Sequence, residues 1–223
     1  MLGSMIRAAI SVPQDRMDVL AKIASAMAAD NPNGNEWHSR FKELLKNPFE
    51  FERNEHGHII VTVIGLDLTG AQEIACLEKK KYRISDRARQ MFTSTNPDGY
   101  NAKHRLVAGQ TYKIVLFPGK QIVNSCYRTT SNLCVEAKKL GYGKPLASIV
   151  PRIRETISDE QMKKMEFWFI AALHDPITDA VGHPEVLLSD ISDDDRRLLG
   201  SDMDNPDRQW NVNGAFAFVL PAS

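Results

Sequence analysis

The run Gln110 to Lys120, QTYKIVLFPGK, constrains this chain more than any other stretch. Tyr112, Ile114 and Leu116 alternate with Thr111, Lys113, Val115 and Phe117, so one face is apolar throughout and the other turns apolar toward its end. A strand covered on both faces must lie well inside a sheet. Pro118 cannot donate to a sheet ladder, so pairing should stop there, and Pro118-Gly119 suits the centre of a type II turn.

Around this strand the chain reads as a mixture of helices and strands. Residues 1–10 are set apart as a tag or disordered N-terminus, and residues 11–46 as a helical hairpin broken at Asn31 to Gly34. Met17, Leu20, Ala24 and Met27 make the apolar stripe of its first helix, and Trp37, Phe41, Leu44 and Leu45 that of its second. Residues 47–223 form the sheet-containing core. Phe49 to Arg53 and His58 to Ile64 are expected as paired strands, the second in the sheet interior because Ile59 to Ile64 is apolar on both faces apart from Thr62.

Thr69 with Gln72 and Ser158 with Gln161 have capping-box spacing and open helices. Ser85 caps another, Thr129 to Leu140 forms a fourth ended by Gly141, and Pro151 belongs in a first turn starting near Ser148. Thr93 to Tyr100 reads as an exposed loop, and Phe167 to Leu173 as a buried strand. His174 to Asp207 is expected to be loop-like, with one short helix at Ser192 to Leu199, and Trp210 to Leu220 to be a tight hairpin about Asn213-Gly214. Without regular βαβ alternation, these elements predict one α+β domain over residues 11–223, with a mainly antiparallel central sheet and helices packed on it.

Charge is the most informative functional feature. The whole chain balances 28 basic against 28 acidic residues, which argues against a globally charged partner surface. The balance hides two opposite segments. Lys79, Lys80, Lys81, Arg83, Arg87, Arg89, Lys103 and Arg105 face only Asp86 and Asp98 over residues 79–105, eight minus two or +6. Residues 175–208 hold ten acidic against three basic side chains, a net −7. The basic segment, with Tyr82, Phe92 and Tyr100 interleaved, is the expected seat for nucleic acid or an acidic protein surface in a binding or accessory protein. Alternatively the two segments meet each other, within one chain or across a homo-oligomer.

Other constellations are weaker. His174, Asp175, His183 and Glu185 supply imidazoles and carboxylates for a hydrolase, with His174, His183 and Glu185 as the metal ligands, although their spacing fits no template. Lys120 and Arg128, before Thr129 and Thr130 at a helix start, outline an anion pocket. Cys76, Cys126 and Cys134 are odd in number and fit neither a disulfide framework nor paired zinc ligands. No apolar run is long enough to span a membrane, no leader is read and no cofactor is specified, so a cytoplasmic protein without membrane contact is expected.

Overall fold

The computed structural model describes residues 51–191, 197–205, 207 and 209–221. The helical hairpin expected over residues 11–46 lies outside them. In chain order they form β1 (Ile59–Ile64), α1 (Gly70–Lys79), β2 (Arg83–Ile84), α2 (Asp86–Thr93), α3 (Tyr100–Lys103), β3 (Thr111–Pro118), α4 (Thr130–Lys139), α5 (Ile149–Thr156), α6 (Asp159–Lys164), β4 (Phe169–Ala172), β5 (Ile177–Thr178), β6 (Pro184–Ile191), β7 (Arg197–Met203) and β8 (Gly214–Leu220). The strands make one sheet in the order β1-β3-β8-β4-β6-β7-β2, with β5 added beside β6.

The sheet is mixed, which corrects the mainly antiparallel expectation. β8 runs antiparallel to β3 but parallel to β4, and β2 runs parallel to β7. The expected hairpin about Asn213-Gly214 does not form. Residues 211–214 are a turn, and β8 inserts as a single strand between β3 and β4, which hides its partners from any local turn signal. The expected acidic loop is also overturned, because β6 and β7 pair along its length and residues 197–199 are strand, not helix. Val186, Leu187, Leu188 and Leu199 are the reason: they carry enough apolar surface to hold two strands within an acidic stretch.

β3 meets its expectation. Ile114 and Leu116 enter one core cluster while Val115 and Phe117 enter the other, on the opposite face. Its pairing ends at Pro118, but the chain continues as a 3-10 turn over Gly119–Gln121 instead of a type II turn. β1 departs from its expectation, since it lies at the sheet margin with Thr62 and Ile64 exposed. Its outer edge is partly met by the preceding segment, where the Ile60 N–H donates to the Glu52 carbonyl at 2.7 Å.

Helices cover both faces. α1, α2, α5 and α6 contribute Leu77, Met91, Ile153 and Met162 to the first cluster. α4 places Leu133 and Ala137 on the second, beside Tyr142 and Trp210. The loop expected to expose Tyr100 instead turns into α3 and buries that ring completely, edge-on to Phe92 at 4.8 Å. On the α1 face both capping boxes form as expected, at Thr69 and Ser158.

Candidate functional site: a cleft beside the fourth helix

Among the described residues α4 covers only part of its sheet face, and a cleft of about 580 Å³ opens beside it. That volume falls in the range of small-molecule sites, about 300 to 1,000 Å³. The helix explains the geometry: Leu133 and Ala137 point into the core, so Asn132, Val135, Glu136 and Lys139 line the neighbouring stripe at three-and-four spacing. His58 and Phe117 form the sheet side, and Gln121, Ile122 and Tyr127 the loop side.

The floor is a fixed hydrogen-bonded cluster. His58 is 1% exposed, and its ring stacks on Phe117 with centroids 4.6 Å apart. Its Nε2 donates to Gln121 Oε1 at 2.5 Å, which leaves Nδ1 to accept the Tyr142 hydroxyl at 2.8 Å. Asn54 Nδ2 donates to the same Tyr142 oxygen at 2.5 Å, and Asn54 Oδ1 accepts the His56 and His58 backbone N–H groups. Gly57 closes this turn at φ +76°, a left-handed angle that suits glycine. Burial lowers the His58 pKa against the opposing Gln121 bond, so the imidazole is neutral and both its nitrogens are occupied. It is a structural histidine, not a free base.

The mouth differs from the floor. The Tyr127 ring is 60% exposed and Val135 51%. Among the described residues neither the Tyr127 hydroxyl nor the Asn132 carboxamide makes a hydrogen bond to another residue, the Asn132 backbone N–H alone donating to Thr129. Glu136 and Lys139 close on one another at 2.6 Å, so the helix side carries no unbalanced charge.

The basic segment is spread over several elements and largely paired. Lys80 meets Glu155 at 2.5 Å, Arg89 meets Glu78 at 2.6 Å and Arg105 meets Asp67 at 2.8 Å. Arg87 reaches Glu185 of the acidic segment at 3.3 Å, so the two segments do touch at that point. Lys79 ends α1, Lys81 follows it at φ +63°, Arg83 lies on the marginal strand β2 and Lys103 ends α3. Lys120 pairs with Glu166. Arg128 is buried and donates to the Trp210 and Ile122 carbonyls, so it pins two loops together.

The histidine loop is likewise dispersed into structural roles. His174 is fully buried, with Nδ1 donating to the Asp175 carbonyl at 2.6 Å and Nε2 accepting the Leu187 N–H at 2.9 Å. Asp175 is held by Lys144 at 2.5 Å, His183 lies 3.5 Å from Asp179, and Glu185 is wholly buried against Arg87. Among the described residues no group of three histidine, cysteine or carboxylate side chains is placed to hold a metal ion.

A second polar centre lies under the loop 66–68. Glu73 and Arg152, both buried, form an ion pair that continues through Glu155 to Lys80, an alternating chain joining α1 and α5. Desolvation raises the Glu73 pKa, and Arg152 opposes it. The Tyr100 and Ser148 hydroxyls lie beside this chain without a hydrogen bond of normal geometry. The chamber they line holds only about 10 Å³.

Sequence reasoning placed His58 only as the first residue of a strand, and missed the cleft. Tyr142 stands 84 residues from His58 and Gln121 stands 63, so no local spacing could join them. The one available signal was the stripe of Asn132, Val135, Glu136 and Lys139 beside the apolar face of α4. Fold and site together define an α+β protein with one mixed sheet and an open cleft on its less covered face. No known protein family, curated protein or solved structure matches the chain.

Proposed function

We propose that this protein is a binding protein for a small organic molecule, which it takes up in the cleft between α4, the 121–127 loop and the β1 turn. One observation carries this reading: a preformed concavity of about 580 Å³ with a rigid, hydrogen-bonded floor and uncommitted polar groups at its mouth. The ion pairs that occupy Lys80, Arg87, Arg89 and Arg105 favour the cleft over the basic segment as the seat of binding.

The test is a titration of the isotope-labelled full chain with neutral aromatic, anionic and cationic fragments, read by amide chemical-shift changes. Shifts should cluster at residues 117–127 and 132–140, and Val135→Arg should abolish them while leaving the fold intact, because Val135 is exposed. Shifts confined to residues 79–105, together with a salt-sensitive complex with oligonucleotides, would replace this reading with an anionic-polymer one.

A further inference from the structure

Which ligand suits the cleft follows from accounting for its polar groups one at a time. Both His58 nitrogens are used within the protein. The Gln121 carboxamide is spent on His58 and on the His56 carbonyl. Glu136 and Lys139 neutralise each other. The His56 ring lies 3.6 Å from Glu55, and what remains is the Asn132 carboxamide, one donor and one acceptor side by side, and the exposed Tyr127 ring with its hydroxyl.

From the proposed role of this cleft we infer that its ligand is a neutral, planar heteroaromatic ring whose edge presents an adjacent donor and acceptor, as in a nucleobase or an aromatic carboxamide. The ring lies against Tyr127 and the apolar wall, and its edge pairs with Asn132. Charge balance carries the neutrality. An anion would have to compete with Glu136 for Lys139, and a cation with Lys139 for Glu136; because the pair is solvent-exposed, this gives a modest preference for a neutral ring. Planarity follows from the wall, because π-faces stack on aromatic side chains without regard to ring substituents. The carboxamide supplies selectivity, since an Asn or Gln amide matches a cis donor–acceptor edge in two parallel hydrogen bonds.

The experiment measures affinities of the full chain for adenine and nicotinamide, which carry the edge, for benzoate and benzamidine, which carry charge, and for anisole, which carries neither. Adenine or nicotinamide should bind at least about tenfold tighter than the charged rings, and Asn132→Leu should cost roughly tenfold to a hundredfold for them alone. Leucine is a good helix former and the capping bond here uses the Asn132 backbone, so the variant should fold normally. Tyr127→Ala should weaken every ring, anisole included. Equal or tighter binding of benzoate or benzamidine, or an Asn132→Leu variant that keeps full affinity, overturns the inference while the cleft remains a binding site. Failure of every ring to bind overturns the parent reading as well.

Discussion

Tyr100 and His174 are both buried polar residues, yet they stand in opposite situations. The Tyr100 hydroxyl is buried beside the Ser148 hydroxyl and Arg152 without a hydrogen bond of normal geometry, so its desolvation cost is offset only weakly. Tyr100→Phe should therefore be neutral or stabilise the fold by up to about 1 kcal/mol in urea unfolding. A loss of stability of that size or more would mean that the hydroxyl is bonded after all. His174 instead satisfies both nitrogens in its neutral form, and burial pushes its pKa down to about 3. His104, 4.9 Å away ring to ring, is lowered for the same reason, against the attraction of Asp175 and Asp98. Unfolded imidazoles bind protons below about pH 6.5 while these two resist them, so the unfolded state gains more protons and stability is lost as the pH drops below about 6.5. Each histidine should contribute a slope of up to about 1.4 kcal/mol per pH unit below 6.5, ending at its own folded pKa. Glu73, whose pKa burial raises, acts in the opposite direction near and above pH 4.5, while Asp98 and Asp175, both lowered, lose their contribution only under stronger acid. Urea midpoints at pH 7.5 and 5.5 should differ clearly for the native chain and less for His104→Asn.

Elements whose cause is local were legible, and those whose cause is distant were not. Thr69 and Ser158 each cap their own helix through a side chain three residues away, which a sequence displays directly. β3 declared itself through alternation and Pro118. The partners of β8 could not be read, because its neighbours β3 and β4 come from far along the chain and its apolar run looks the same in either direction. β6 and β7 were hidden by acidic composition, which outweighed four buried leucines and valines in the reading. The cleft was invisible for a related reason, since it is what α4 leaves uncovered, and coverage is not a property of any one segment. Gly70 shows how context reverses a local rule. At an exposed helical position Gly→Ala stabilises by roughly 0.5 to 1 kcal/mol. Here an added Cβ would run into the Phe92 carbonyl oxygen of α2, so Gly70→Ala should destabilise and Ala71→Gly should cost only the ordinary propensity difference. Thermal unfolding of the two variants side by side checks the reversal.

Among the described residues the basic and acidic segments touch at one ion pair, while Lys80, Arg89 and Arg105 pair with carboxylates outside the acidic segment. The Arg87 to Glu185 pair links the basic stretch to the acidic one, across 98 positions of sequence, and it is lopsided: Arg87 is 60% exposed whereas Glu185 is wholly buried. One Glu185 oxygen has no hydrogen-bond partner among the described residues, and the other is met by the Arg87 guanidinium. Removing the arginine leaves a buried charge uncompensated, a defect that costs about 3 to 5 kcal/mol when both partners are buried. Solvent screening at the exposed guanidinium reduces that figure, and roughly 1 to 3 kcal/mol is the expectation for Arg87→Ala. Glu185→Gln should recover much of the loss in the Arg87→Ala background, since it removes the charge and keeps the shape. A chemical-denaturation double-mutant cycle separates the two accounts. If the pair is the stitch between the segments, the double variant is more stable than Arg87→Ala alone. Two single effects that simply add would mean that β5, β6 and α2 are held by their apolar contacts, with charge segregation incidental to the fold.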